Sequence, residues 1–371
     1  MTEALDIAFL ALGEPHQLFH ILGPAVALAN KGHAVTLFVA TVWHEQIIAR
    51  HAPGARLTVR RIRTLLRADP PIYKTPNRII SLLLNGDHVT KFDILVTPER
   101  SSTVLKRIGA FSGMMAHLPH GAGDRAASYD SRIKLFDLVI APGEKDRRRF
   151  ISRGLVQEDR CVTAGYAKFD LIGGALPRFF DNEKPIVLYN PHFDKELSSW
   201  PGMGADLIRA FAAETRFNFI IAPHIRLRGA MRRSFEALAS RNRAGHVRFD
   251  SGSLHSINMD YTRAAAIYLG DVSSQVYEFI HTPRPCVFLN PRNTAWQNDE
   301  HYWHWRYGPV AVTVDGAMRA LSVATATQEK YEAVQREGFE TAIAQPGLSA
   351  SEEIAAALER GYHVWCKNYP A

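Results

Sequence analysis

The chain has 371 residues, 46% hydrophobic and 22% charged, with a net charge of +7. That length exceeds one compact core and fits two domains of about 100–200 residues in a soluble globular protein. No apolar run approaches the ~18–20 residues of a membrane span, and three scattered cysteines do not suggest a disulfide framework or a zinc knuckle, so a reducing cytoplasm is expected.

The opening MTEALDIAFLALGEPHQ has no basic n-region and soon meets Glu14 and Pro15, which reads against a secretory signal. Next, DIAFLAL (6–12) predicts a buried strand, FHILGPAVALANKG (19–32) a helix ending at Gly32, and HAVTLFVAT (33–41) a second strand. DILVT (93–97), FSGMMAHL (111–118) and DLVIAP (137–142) predict three more. The pattern restarts after LIGGALPRFFDNEK (171–184), a Gly- and Pro-containing connection. Strands are expected at KPIVLYNP (184–191), FNFIIAP (217–223), AAAIYLGD (264–271) and PCVFLNP (285–291), with helices at 204–215, 231–242 and 274–282. A last helix, near 349–367, has Ser349 or Ser351 as its cap. Alternating strands and helices imply parallel sheets with crossover helices. The expected boundaries are an N-terminal domain over 1–172, a second over 173–350, and a terminal helix over 351–371 that packs on the first.

The positive surplus sits largely in VRRIRTLLR (59–67) and EKDRRRFISR (144–153). Solvated helix faces and docking to an anionic membrane surface both account for it. No nucleic-acid motif accompanies these runs, so no nucleic-acid partner is expected.

Two Rossmann-like halves place ligands at the carboxyl ends of their strands. GEPHQ after the first strand is neither a dinucleotide fingerprint nor a P-loop. FSGMMAHL leads into Pro119-His120-Gly121-Ala122-Gly123-Asp124-Arg125. A neutral His120 there could take a proton from an attacking hydroxyl; a structural histidine is the alternative. FNFIIAP leads into His224 and Arg226, suited to a phosphate. Asn190, His192 and Asp194 follow a third strand. Asp271-Val272-Ser273-Ser274 opens a helix whose first N–H groups could hold an anion, with Glu278 one turn on. Asp299, Glu300, His301 and His304 are metal-ligand types, but no second cluster has matching spacing, so no metal is expected.

In order, these segments resemble the CDP-glycerol glycerophosphotransferases of teichoic acid synthesis, a branch of the GT-B transferases. The carrying residues are His120-Gly121, Tyr189-Asn190-Pro191, His224, Asp271-Val272-Ser273-Ser274 with Glu278-Phe279, and Arg284-Pro285 before CVFLNP. GYAKFD (165–170) is similar to the family's G-x-P-R-x-D, with Ala167 and Lys168 in place of Pro and Arg. The resemblance spans roughly residues 110–290; the opening, with its G-H-x-V second strand, is similar to the wider GT-B group. AGDR stands where the family has a lysine soon after H-G, and HFDK where it has T-W-R.

The resemblance implies an α/β GT-B fold, two Rossmann-like domains with parallel sheets facing across a cleft. It implies metal-independent transfer of a glycerophosphate, polyol-phosphate or sugar unit from a nucleotide-linked donor to a hydroxyl acceptor, lipid-linked or free, in cell-surface polymer synthesis. His120 would be the base and His224 the partner of the leaving phosphate. Gly121, Asn190, His192, Arg226, Asp271, Ser273, Ser274 and Glu278 would bind the donor. No cofactor beyond that donor is expected, and the chain would be cytoplasmic, peripheral on the inner membrane face. A sugar-nucleotide glycosyltransferase, a non-hydrolysing epimerase and a non-catalytic nucleotide-binding protein are the alternatives.

Overall fold

A computed structural model describes residues 3–65, 71–72, 74–124 and 129–368. Arg125 of the AGDR quartet, and Leu66 and Arg67 of the first basic run, lie outside the described residues.

Two compact units make up the chain. Met1–Ala122, Ala127–Gly173 and Glu340–Ala371 form the first, and Gly123–Ala126 with Gly174–Phe339 the second. The crossing back to the first unit thus falls at Glu340 rather than at 351.

The first unit carries β1 (Asp6–Ala11), β2 (Ala34–Val39), β3 (Thr58–Arg61), β4 (Ile94–Thr97), β5 (Met114–His117), β6 (Leu138–Ala141) and β7 (Cys161–Thr163). They form one sheet in the order β3-β2-β1-β4-β5-β6-β7, with every pair parallel. Ala8, Leu10, Leu95, Met115 and Val139 meet Phe38, Phe136 and Phe150 in its core. Ile7 and Phe9, on the alternate positions of β1, are buried as well. A parallel strand covered on both faces therefore reads as an unbroken apolar run.

Helix Leu18–Asn30 follows β1 and ends where Gly32 takes φ +97°, the left-handed conformation that a glycine adopts without strain. The terminal helix Ala350–Asn368 packs on it, burying Ile354, Ala355 and Leu358. Ser349 caps that helix, its Oγ accepting from Glu352 N at 3.2 Å.

The second unit carries β8 (Ile186–Asn190), β9 (Asn218–Ile221), β10 (Val247–Phe249), β11 (Ile267–Gly270), β12 (Cys286–Leu289) and β13 (Val310–Ala311), in the all-parallel order β10-β9-β8-β11-β12-β13. Tyr189, Phe211, Phe219, Leu269 and Val287 form its core with Trp200 and Phe235. Sheet order reverses beside β8, so the loops after β8 and β11 flank a topological switch point, where such sheets bind ligands.

The two basic runs have different fates. Residues 58–61 are an exposed edge strand, not a helix face. Glu144–Ser152 is a helix in which Arg147 bonds Glu144 and Glu158, Arg148 bonds Glu144, and Arg149 is buried against Tyr129. The second run is spent largely within its own fold.

Candidate functional site

In the first unit, β1, β4 and β5 are neighbours, so the loops after them meet. β5 ends at His117, which is buried, stacked on Phe136 and bonded through Nδ1 to Thr97 O at 3.1 Å. Burial lowers its pKa to about 3, and it is a neutral core residue. Gly121, at φ +94°, then turns the chain and leaves His120 half-buried at the strand end.

His120 Nδ1 lies 3.2 Å from Pro98 O. A carbonyl only accepts, so Nδ1 carries the proton and Nε2 keeps its lone pair. Gln17 Nε2, 3.3 Å away, donates to that lone pair and donates also to Glu14 Oε2 at 2.9 Å. Arg78 bridges Glu14 and Glu99, its Nη1 lying 2.9 Å from Glu99 Oε2. Burial lowers the His120 pKa; the carboxylates of Glu99 and Glu14 and the Pro98 carbonyl pull it back up, and Arg78 opposes them. The result is a neutral imidazole with its basic nitrogen presented, the state a general base requires. Gly13 makes this possible: a Cβ there would come within 2.3 Å of Gln17 Oε1 and 2.5 Å of Glu99 Oε1.

In the second unit the loops after β8 and β9 bring together His192, Phe193, His224 and Arg226. The Phe193 and His224 ring centroids are 4.8 Å apart, and the Arg226 guanidinium lies over Phe193 at 4.4 Å. His224 Nδ1 accepts from Arg226 N at 3.1 Å. A backbone N–H only donates, so a neutral His224 carries its proton on Nε2, as a donor. His192 is held likewise, with Nδ1 accepting from Asp194 N at 2.9 Å.

Asp271, after β11, is buried. Its carboxylate accepts from His192 N at 2.9 Å, Ser199 N at 2.6 Å, Ser199 Oγ at 2.8 Å and Val272 N at 2.8 Å. Burial pushes its carboxyl up to about 6, against the pull of those donors. Asp271 is therefore a hub that fixes the loops, with its carboxylate turned to protein donors. Asn190 is equally occupied: Nδ2 donates to Ala222 O at 2.7 Å and Oδ1 accepts from Tyr268 OH at 3.3 Å. Ser273 and Ser274 precede a helix of only Gln275–Phe279, too short for much macrodipole, so an anion there would rely on the hydroxyls and local N–H groups. Glu278 is buried on that turn.

The sequence matches no family model and no curated protein. Solved structures do match. The S. aureus MnaA–UDP co-structure superposes with a TM-score of 0.67 at 11% identity, covering 97% of each chain. A variant of the wall teichoic acid polymerase TagF gives 0.64 at 11% identity, over 98% of this chain and 90% of that one. UDP-GlcNAc 2-epimerase from Neisseria meningitidis, bound to UDP-GlcNAc, gives 0.63 at 15% identity, over 95% and 99%. The chain has the GT-B fold.

Within this GT-B chain the first unit gathers His120 and Gly121 with residues the motifs did not single out: Gln17, Arg78, Glu14 and Glu99. The second unit gathers His192, His224 and Arg226, and ties Asp271 to Ser199. Sequence reasoning also missed what the aromatic loop does. Asp124 is buried in the second unit, accepting from Tyr277 OH at 2.9 Å and facing His304 Nδ1 at 2.9 Å. His304 Nε2 and Trp305 Nε1 both bond the Asp271 carbonyl, at 3.1 and 2.9 Å. Gly123 lies against Ser274, 3.1 Å separating its would-be Cβ from Ser274 Cβ. The loop is thus a brace for the DVSS turn, and its histidine density was the available signal.

Proposed function

We propose that this chain is a transferase that moves a phosphate-linked unit, glycerophosphate or a related polyol-phosphate or sugar, from a nucleotide-activated donor to a hydroxyl acceptor. The observation that carries the reading is the tautomer of His120. With Nδ1 committed to the Pro98 carbonyl, Nε2 is the atom that takes the acceptor's proton as its oxygen attacks. His224, with its proton on Nε2, donates to a phosphate oxygen of the donor, and the Arg226 guanidinium adds charge. Ser273 and Ser274 hydroxyls supply further donors to the same phosphates. As negative charge grows on the leaving phosphate, these donors stabilise it more than in the ground state.

The test is a panel of CDP-, UDP- and GDP-linked donors in thermal-shift and product assays. The matching donor stabilises the fold by ~2.7 kcal/mol at a hundredfold excess over Kd and gives nucleotide release that depends on acceptor. No stabilisation by any nucleotide overturns the reading.

A second reading is favoured by one observation: two carboxylates, Glu14 and Glu99, flank His120. Acids beside a neutral base suit proton removal from and return to a sugar carbon, the work of a non-hydrolysing epimerase. Incubation with UDP-GlcNAc in D2O and no acceptor separates the two: deuterium at C2 of the sugar supports epimerisation, and its absence with acceptor-dependent turnover supports transfer.

A further inference from the structure

The acid of AGDR has no part in the chemistry proposed above. Asp124 is nevertheless buried, 1% exposed, and held by donors from two elements of the second unit. Tyr277 OH lies 2.9 Å from each carboxylate oxygen, and Oδ2 also faces His304 N at 3.2 Å and His304 Nδ1 at 2.9 Å. The Asp124 carbonyl accepts from His301 Nδ1 at 2.9 Å. Burial, and then the charges of Asp124 and Tyr307 beside it, hold the Tyr277 hydroxyl well above its usual pKa, so it stays a donor.

His304 is buried as well, and both of its ring nitrogens face acceptors. Nδ1 faces the Asp124 carboxylate, and Nε2 faces the Asp271 carbonyl at 3.1 Å. Carboxylates and carbonyls only accept. Both bonds therefore form together on a ring with a proton on each nitrogen, an imidazolium paired with Asp124. A charge out of water persists where it is paired and hydrogen-bonded in this way.

Asp124 also ends a short strap. His120 belongs to the first unit and Gly123–Ala126 to the second, and three residues separate His120 from Asp124. None of the three is slack. Gly121 takes φ +94°, Ala122 is buried with its carbonyl accepting from Lys145 Nζ at 2.5 Å, and the would-be Cβ of Gly123 lies 3.1 Å from Ser274 Cβ. The turn that presents His120 thus leaves β5 at one end and stops at a buried ion pair at the other.

We propose that Asp124 is a positioning residue for His120: the bonds it accepts from His304 and Tyr277 fix the far end of the His120 turn, and so the place from which Nε2 takes the acceptor's proton. This rests on the transfer reading. Asp124 acts by its bonds rather than by its charge, because an amide at the same place accepts from Tyr277 while donating to a neutral His304.

Variants of the full chain test it, with kcat and donor KM read on the CDP-, UDP- and GDP-linked panel. Asp124→Ala lowers kcat about 10–100-fold, the effect of a base displaced by about 1 Å, with the smaller change in donor KM. Asp124→Asn restores kcat to within about threefold of the parent. Two glycines inserted between Ala122 and Gly123, a change that a slack loop absorbs at little cost, lower kcat as Asp124→Ala does. Nitrogen NMR of the histidine rings at neutral pH shows two protons on His304 in the parent and one in Asp124→Asn. Where Asp124→Ala does not fold by circular dichroism, the insertion carries the test with Tyr277→Phe, which keeps the ion pair, drops one donor and lowers kcat about 3–10-fold.

A parent His304 with one proton overturns the ion pair. Parental kcat in Asp124→Ala or in the insertion overturns the positioning role. So does an Asp124→Asn chain as slow as Asp124→Ala, which assigns the effect to charge, and so does a loss confined to donor KM, which leaves Asp124 as a brace of the DVSS turn. All of these leave the transfer reading standing. A fully active His120→Ala defeats that reading and leaves the ion pair, seen in the nitrogen spectra, untouched.

Discussion

Each unit presents a histidine just past a sheet strand, and the two rings are set in opposite ways. After β5, a carbonyl faces His120 Nδ1 and leaves Nε2 without a proton, a lone pair that Gln17 bonds. After β9, a backbone N–H faces His224 Nδ1 and leaves the proton on Nε2. Neither assignment needs a charged neighbour. The direction of one peptide group decides whether the ring accepts or donates a proton, so two loops of similar composition acquire complementary chemistry. The rest of each cluster follows suit. His120 sits among Gln17, Glu14, Arg78 and Glu99, whereas His224 sits among Phe193, His192 and Arg226.

The sharpest way to break this contrast is to remove each ring in turn. His120→Ala should cut turnover about 10²–10⁴-fold with donor affinity little changed, measured as kcat against KM. His224→Ala should weaken donor binding about 10–100-fold, the loss of one or two bonds to a charged group. If both variants fall in the same parameter, the division of roles fails. The pH profile gives a finer reading. A base must be unprotonated, and burial lowers the His120 pKa, so the acidic limb of kcat/KM should lie below the ordinary histidine value of about 6.5.

Acid should also separate the units in stability. His44 and His117, both buried in the first unit, have pKa values lowered to about 4 and about 3 by burial, and that of His20 is lowered well below its usual value. They stay neutral in the fold while the unfolded chain takes up protons below about 6.5. Their contribution is therefore present above that pH and lost as pH falls toward their folded values, by about 2 kcal/mol each for His44 and His117 at pH 5. Asp271 in the second unit works the other way. Its raised pKa means that its ionisation costs stability as pH rises from about 4 to about 6, so acid relieves that unit by about 1 kcal/mol at pH 5. Hydrogen exchange at pH 7 and pH 5 should show the first unit loosening more; equal loosening would contradict this.

Smaller effects probe the packing behind His120. Gly13→Ala forces Gln17 and Glu99 aside and should cost about 1–3 kcal/mol in urea unfolding. Gln17→Leu removes the N–H that favours an unprotonated Nε2, so the acidic limb should move to higher pH with little change in stability; an unmoved limb would make Gln17 mere packing.

The central strands were legible in the sequence, and the edges were not. β1, β2, β4, β5, β6, β8, β9, β11 and β12 each fall inside an apolar run. The four strands without such a run, β3, β7, β10 and β13, are the two outer strands of each sheet. An edge strand is solvated on one side, so it need not be apolar; β3 reads TVRR and is exposed throughout. The candidate site was legible to the same degree. His120 and His224 stood out because a strand end puts them in a definite place. Gln17 and Arg78 did not, because only the fold brings them beside His120 from more than forty residues away. The inward bonding of Asp271 was illegible for the opposite reason. An acid before two serines resembles a ligand contact, and only the donors from Ser199 and His192 show that it faces inward.

The terminal helix has a consequence for how the chain is made. Ile354, Ala355 and Leu358 belong to the first unit's interior, Glu359 bonds Lys31 and His33, and Ser351 N bonds Asp170 at 2.6 Å. The first unit's strands therefore wait for a helix that is synthesised only after the second unit. The second unit, apart from Gly123–Ala126, is uninterrupted from Gly174 to Phe339 and can close while that wait continues. During synthesis the second unit can thus be complete before the first, although most of the first precedes it in the sequence.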